Sequence, residues 1–313
     1  MIKFPTTLVF IDDHKEFLEG LKVLLEPMHN SMVFFSNPLE ALDFINSDDS
    51  LQVHQGDFWE SYDESPENDN DSLARLKHSH TRNIIKNPKR FRQLSCVISD
   101  FDMMEMDGIE LFSKITHPHI RKILLTGVAS HEYGITAFNS GSINQFLQKD
   151  NPFLYQILQP TIQDQEKSFF MNFNFQQREN RGLEELLKAF EKEKTIVEKY
   201  CIDPLGSKLL INNKGEQWVL GVFSEEALSS QLTQARDFNA PQTVIDVLEQ
   251  KKKAFSFYSL NNEAPIPEVS VWENHMHPID YVQADDVYYS LFKVKAPEKV
   301  TNFQDYLSSE KES

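Results

Sequence analysis

Along the first half of the chain, short apolar runs alternate with segments of helical periodicity, the pattern of buried strands followed by amphipathic helices. Leu8, Val9, Phe10 and Ile11 form a run that stops at Asp12 and Asp13, and Phe17, Leu18, Leu21, Leu24 and Leu25 then fall at helical spacing. Cys96, Val97 and Ile98 form another run, which stops at Asp100. After a short loop to Gly108, Ile109, Leu111, Phe112 and Ile115 begin a second helix. Ile123, Leu124 and Leu125 end at Thr126 and Gly127, and Phe146 and Leu147 end at Lys149. Asn37, Pro38 and Glu40 signal the start of a helix through Ala41, Leu42 and Ile45. Residues 150–170 supply a last helix, with Asn151 and Pro152 at its start and a bend at Pro160. Strands alternating with helices predict an α/β fold with an open parallel sheet.

In an open α/β sheet, ligands and chemistry collect beyond the carboxyl ends of the strands. Four such ends here carry Asp12 with Asp13, Asp100, Thr126 and Lys149: three carboxylates, a hydroxyl and an ammonium. Three carboxylates about 5 Å apart repel by roughly 3 kcal/mol per pair at an effective dielectric of 20. That is a sizeable part of a domain's ~5–15 kcal/mol stability, so a cation must offset it. Hard oxygen ligands without Cys or His favour Mg²⁺ over zinc, and the set suits phosphoryl transfer to a carboxylate. Taken singly, each residue has an ordinary role. Asp13 with Glu16 makes a capping box, Thr126 is a strand-end hydroxyl, and Lys149 is a solvated lysine before the next helix. Their joint placement at successive strand ends is what those roles leave unexplained.

The stretch VISDFDMMEMDGIELF, preceded by FIDDH and followed by LLTG and FLQKD, resembles the CheY-like receiver domain of two-component response regulators over roughly the first 170 residues. The resemblance implies a flavodoxin-like receiver, a doubly wound five-stranded parallel sheet, in which Asp100 accepts a phosphoryl group from a phosphohistidine on a sensor histidine kinase or phosphotransfer protein. It implies that Asp12, Asp13 and Asp100 hold Mg²⁺ together with the backbone carbonyl of Asp102. Thr126 and Lys149 would grip phosphoryl oxygens, and Phe146 falls at the aromatic switch position. Met104 and Asp150 stand where the family commonly has proline. Asp102 adds a fourth carboxyl group near the metal and Val128 is apolar; both are expected to tune loss of the phosphoryl group to water.

With 313 residues the chain has room for two domains. The predicted division is a receiver over 1–170 with an insert at 48–94, a connecting helix over 171–202, a C-terminal α+β domain over 203–300, and a polar tail over 301–313. Within the insert, residues 48–71 carry nine acidic and no basic residues, and 72–94 carry seven basic and no acidic ones. Such blocks read as a solvated excursion whose halves neutralise each other, or as a docking surface. Residues 64–71 read as a polar loop, and Leu73, Leu76, Ile84, Ile85 and Phe91 as a short helix or two, with His78 and His80 as loop histidines. Leu183, Leu186, Phe190, Val197 and Tyr200 lie near heptad spacing, with Glu193 in one core position. They predict a helix packed on its own domain or a homodimer seam.

Further on, Lys208–Ile211 and Gln217–Phe223 flank the turn Asn212, Asn213, Lys214, Gly215 and predict a hairpin. Helices are expected near Glu225–Arg236 and Thr243–Lys253, and strands at Phe255–Leu260 and Val287–Val294. This smaller α+β domain is weakly similar to PAS-like sensory modules. His275 and His277 read as loop residues, since no third ligand lies close in sequence. The net charge of −17, from 31 basic against 48 acidic residues, disfavours DNA binding, which depends on Lys and Arg. A glycine-rich nucleotide loop is absent from the sequence. Cys96 and Cys201 suit reduced thiols in the cytoplasm, and no apolar run is long enough for a membrane span or a signal peptide. The expected function is a phosphorylation-switched regulator that signals through protein interaction or dimerisation, without an enzymatic output. Regulators with long inserts and non-DNA outputs in quorum sensing offer a weaker likeness. The alternatives are a receiver-controlled enzyme acting on a nucleotide or phosphorylated ligand and, third, a transcriptional regulator.

Overall fold

The computed structural model describes residues 2–47, 59–62, 73–76, 78–127, 131–171, 181–202, 207–255, 275–294 and 300–311. β1 (Thr7–Ile11) leads into α1 (Lys15–Leu25), β2 (Ser31–Phe35) and α2 (Pro38–Ile45). The insert holds β3 (Trp59–Tyr62) and β4 (Leu73–Leu76), an antiparallel pair, then α3 (His78–Lys86) and a 3₁₀ turn over Pro88–Arg92. Next come β5 (Leu94–Asp100), α4 (Gly108–Lys114), β6 (Arg121–Thr126), α5 (His131–Asn139), β7 (Gln145–Gln148) and α6 (Leu154–Met171). Strands β2, β1, β5, β6 and β7 lie in that order in one parallel sheet. This is the doubly wound order with its switch point at β1 and β5.

Strand period decides which helices cover which face. Leu8 and Phe10 of β1, Cys96 and Ile98 of β5, and Ile123 and Leu125 of β6 pack with Leu18, Leu21 and Leu25 of α1 and Leu158 and Ile162 of α6. The alternate residues Val9, Ile11, Val97 and Leu124 pack with Ala41 and Ile45 of α2, Leu111 and Phe112 of α4, and Ala137 of α5. With both faces buried, the strands read as continuous apolar runs. Each fully buried Leu, Ile, Val or Phe contributes ~1.5–3 kcal/mol, so the sheet is a rigid base for groups at its carboxyl edge. Pro160 lies inside α6, which continues through it to Met171.

By backbone proximity the chain divides into two units: residues 4–55 with 89–175, and residues 1–3 with 56–88 and 176–313. The insert predicted with the receiver is thus grouped largely with the C-terminal unit. So are the first three residues: Lys3 exchanges two backbone hydrogen bonds with Lys199, at 2.7 and 2.6 Å. Leu73 and Leu76 lie in a strand rather than the expected helix, while Ile84 and Ile85 are in α3. His78 and His80 belong to α3 rather than a loop. Residues 64–71 lie outside the described residues.

In the second unit α7 (Arg181–Lys194) is followed by β8 (Ile196–Cys201), β9 (Lys208–Asn212), β10 (Gln217–Phe223), α8 (Glu225–Asp237) and α9 (Gln242–Glu249). Then come β11 (Lys253–Phe255), β12 (Met276–Pro278), β13 (Asp280–Val282), β14 (Val287–Val294) and α10 (Phe303–Lys311). An antiparallel sheet runs β13, β14, β10, β9, β8. The helix expected through residue 202 stops at Lys194. Thr195 turns into the left-handed region at φ 51°, and the β-branched Ile196 and Val197 begin a strand paired with β9. Leu183 and Leu187, with Phe190 beside them, pack on Leu210, Trp218 and Leu220, so the apolar face of α7 is filled by its own sheet. Asp285 accepts a hydrogen bond from Leu183 N at 2.8 Å and holds the start of that helix.

Three further expectations are corrected. The polar tail is helical from Phe303, with Phe303 and Tyr306 buried. The Asn302 side chain caps this helix by accepting from Asp305 N. The helix expected to reach Lys253 stops at Glu249, since Lys251 adopts φ 50° and Lys252 N returns to Val247 O. His277 lies in β12, not a loop, and its ring stacks on Phe292 at 3.5 Å, a packing role rather than a ligand's. Lys253–Phe255 forms strand, and 256–260 lie outside the described residues.

One glycine sets the geometry of the β5 edge. Gly108 N donates to Phe101 O at 2.9 Å, closing the loop that follows Asp100. A β-carbon at this position would stand 2.3 Å from the Asp100 carbonyl oxygen and 2.7 Å from Leu124 Cδ1. Gly108→Ala is expected to destabilise the protein by at least the ~1–3 kcal/mol of an overpacked core site, read from urea unfolding; an unchanged midpoint would contradict this placement.

Candidate functional site

The carboxyl ends of β1, β5, β6 and β7 bring Asp12, Asp13, Asp100, Thr126 and Lys149 to one edge of the sheet. Asp12 and Asp100 are buried and Asp13 half-buried. Lys149 Nζ stands 2.5 Å from Asp12 Oδ2 and 2.8 Å from Asp100 Oδ2. Its backbone N–H donates to Thr126 O at 2.9 Å, and its ammonium lies 4.9 Å from the centre of the Phe17 ring, a cation–π contact that restrains it. One lysine is thereby held between two buried carboxylates from separate strands.

Each carboxylate is oriented by backbone donors. Asp12 Oδ1 accepts from His14 N at 2.9 Å, and Asp100 Oδ1 from Phe101 N at 2.8 Å. Burial pushes the Asp100 carboxyl above the usual carboxylate range. Its bond to Lys149 and that residue's charge pull it back, Asp12 adds to the rise, and the Phe101 N–H lowers it. Thr126 is fully buried, and its Oγ1 has no hydrogen-bond partner, although an unmet buried hydroxyl costs ~1–3 kcal/mol. That oxygen lies on the strand next to Asp100, where it would be satisfied by an oxyanion.

The remaining expected residues are also placed. Asp102 sits in the loop after β5 with its side chain exposed, and Val128 lies outside the described residues. Phe146, on β7, is half-buried and meets Phe138 edge-on with ring centres 6.2 Å apart. Gly134 of α5 lies against it: a β-carbon there would stand 3.3 Å from Phe146 Cδ2 and 3.4 Å from Thr126 Cγ2. The helix thus rests on both groups at once.

Three neighbours were not anticipated from sequence. His14 Nδ1 lies 2.9 Å from Asp13 Oδ1 and 3.3 Å from Asp12 Oδ1. Phe17 is a helix-core residue by its spacing, yet it meets Lys149. Phe101, the residue after Asp100, stacks on Tyr133 with ring centres 5.5 Å apart. Only His14 carried a signal, as a titratable group directly after two aspartates.

Ligand atoms of Asp12, Asp13, His14 and Asp100 lie within 4.8 Å of one another, the single such group among the described residues. At that separation two carboxylates repel by about 3 kcal/mol at an effective dielectric of 20. A hard divalent cation fits the donor set, with Asp12, Asp13 and Asp100 as ligands and the unmet Thr126 hydroxyl close by. His275 and His277 belong to no such group.

The raised Asp100 carboxyl fixes the sign of a stability test. A carboxyl whose folded pKa exceeds its unfolded one loses stability as pH rises through the folded value, and the loss disappears below the unfolded value. In EDTA at neutral pH, Asp100→Asn is therefore expected to melt above wild type, the gap closing as pH falls through the carboxylate range. An equal or lower melting temperature at neutral pH would contradict this.

No protein-family model matches the chain, and no curated protein does. Among solved structures, the Legionella pneumophila response regulator LqsR is similar at a TM-score of 0.77 and 25% identity, covering 98% of this chain and 94% of that one. A response regulator receiver domain protein from Clostridium thermocellum matches at 21% identity over 52% of this chain and 95% of its own, with a TM-score of 0.33. A CheY-like receiver domain protein from Methanospirillum hungatei matches at 18% over 53% and 96%, with a TM-score of 0.34. Among the described residues no helix is long and apolar enough to cross a membrane. The chain is thus similar over its full length to a response regulator, and its acidic cluster and lysine stand at the carboxyl edge of a five-stranded parallel sheet with the fold of a flavodoxin-like receiver.

Proposed function

We propose that the protein is a phosphorylation-switched regulator whose Asp100 accepts a phosphoryl group from a sensor histidine kinase or phosphotransfer protein. The observation that carries this reading is the Lys149 ammonium shared between Asp12 and Asp100 beside the unmet Thr126 hydroxyl. An Asp100 oxygen attacks the phosphorus of a phosphohistidine. The new P–O bond makes an acyl phosphate, and the breaking P–N bond leaves its electron pair on the imidazole. Lys149 and the Thr126 hydroxyl donate to phosphoryl oxygens as charge develops there. Asp12, Asp13, Asp100 and the Asp102 carbonyl would hold Mg²⁺, which when bound neutralises charge on the transferring group.

Once Thr126 turns toward a phosphoryl oxygen, its methyl no longer supports Gly134 and Phe146 as before. Phe146 then moves inward and changes the face formed by α5, β7 and α6. Phosphorylation selects this arrangement only as far as its contacts differ between the two states. The output passes through protein interaction or dimerisation of the C-terminal unit, whose described interior is filled by Leu210, Trp218, Leu220 and Val222. The net charge of −17 speaks against nucleic acid as the partner, and Cys96 and Cys201, both buried and in no disulfide, suit the cytoplasm.

Acetyl phosphate with Mg²⁺ is expected to add the mass of one phosphoryl group to wild type and none to Asp100→Asn, with a change of oligomeric state or partner binding only in wild type. Equal labelling of both proteins would remove Asp100 as acceptor. The exposed Asp102 carboxylate is expected to set the acyl-phosphate lifetime by acting on the attacking water, so Asp102→Asn should lengthen or shorten it; identical decay in both proteins would dispose of that role.

A further inference from the structure

We propose that His14 is a fourth ligand of the metal site, and that its imidazole nitrogen turns an all-oxygen Mg²⁺ site into one that favours later first-row transition ions such as Co²⁺ and Ni²⁺. The proposal deepens the metal-assisted reading above and rests on it. His14 occupies the N-cap position of α1, where Ser, Thr, Asp or Asn would normally accept from the first helical N–H groups. Its side chain makes no such bond; it is turned back to the aspartates. Nδ1 lies 2.9 Å from Asp13 Oδ1 and 3.3 Å from Asp12 Oδ1.

Those separations suit neighbouring ligands around one ion. With metal–ligand bonds of ~2.0–2.1 Å, adjacent corners of an octahedron lie about 2.9 Å apart. Without an ion the closer contact is an ion pair with Asp13 Oδ1; a bound cation would take both atoms as ligands. The fully buried Thr126 hydroxyl, on the strand next to that of Asp100, is without a partner. The imidazole is 69% exposed, so it can adjust to an ion without unpacking the core. Imidazole suits Fe, Co, Ni and Zn ions, whereas Mg²⁺ prefers oxygen, so this one residue biases metal choice.

The test is metal binding rather than phosphorylation. Pulsed EPR of Mn²⁺ bound to the full-length protein is expected to show modulation from a directly bound imidazole nitrogen, absent in His14→Ala. Titration should show Co²⁺ affinity falling at least ~10-fold in that variant, the loss that even an outer-shell partner brings. Mg²⁺ affinity should change little, which also shows that the variant keeps its fold. Mn²⁺ bound without nitrogen modulation, or Co²⁺ affinity unchanged in His14→Ala, overturns the role of His14 and leaves the Mg²⁺ reading standing. No divalent ion binding to wild type at all removes both.

Discussion

The crowding of like charge at the end of a buried sheet is the constraint from which the rest follows. Asp12 and Asp100 are almost without solvent, and Asp13 and His14 share their few ångströms. A carboxylate in that setting is stable only with opposite charge or hydrogen-bond donors close by. Lys149 supplies the first, through contacts to two strands at once, and the backbone N–H groups of His14 and Phe101 supply the second. What remains unmet is the Thr126 hydroxyl and part of the negative charge. Both are conditions that a cation and a phosphoryl group relieve together, so the arrangement stores its affinity as local discomfort.

Such discomfort persists only where the frame around it is firm. The two apolar layers that sandwich the sheet hold the strand ends in place, and Gly108 lets the start of α4 come within reach of the Asp100 carbonyl. Gly134 does the corresponding work for α5, which can touch Thr126 and Phe146 at once because neither is kept off by a side chain. The chemistry at Asp100 is in this way tied through packing to a helix that presents Tyr133 and Phe138 to solvent.

Much of this was legible in the chain. Continuous apolar runs ending in Asp, Thr and Lys could be read because strands buried on both faces have few alternatives, and the position of a strand's end places its last side chain. Where the pattern misled, a second periodicity competed. Val197 and Tyr200 fit a heptad begun by Leu183, yet they serve as buried residues of β8, because Thr195 breaks the helix and β9 offers a pairing edge. The helix at Phe303 was hidden by a polar composition, although Asn302 with Asp305 is a capping signal and Phe303 with Tyr306 a one-sided apolar pair. The reach of His14 and Phe17 toward the acid cluster depends on the angle at which α1 leaves β1, which no residue pattern encodes. In the second unit the hairpin of β9 and β10, the helices α8 and α9 and the strand β14 were legible, but not β8, β13, α10 or the sheet order that joins β14 to β10.

The division of the backbone has a consequence for how this molecule can be taken apart. Residues 1–3 and 56–88 are grouped with the C-terminal unit while the segments around them are grouped with the receiver. The polypeptide therefore passes between the units four times, after residues 3, 55, 88 and 175. No single cleavage liberates either unit intact, and a fragment ending after residue 175 would keep Lys3 without Lys199, its backbone partner. Each unit is assembled from more than one stretch of sequence, so neither corresponds to a continuous fragment.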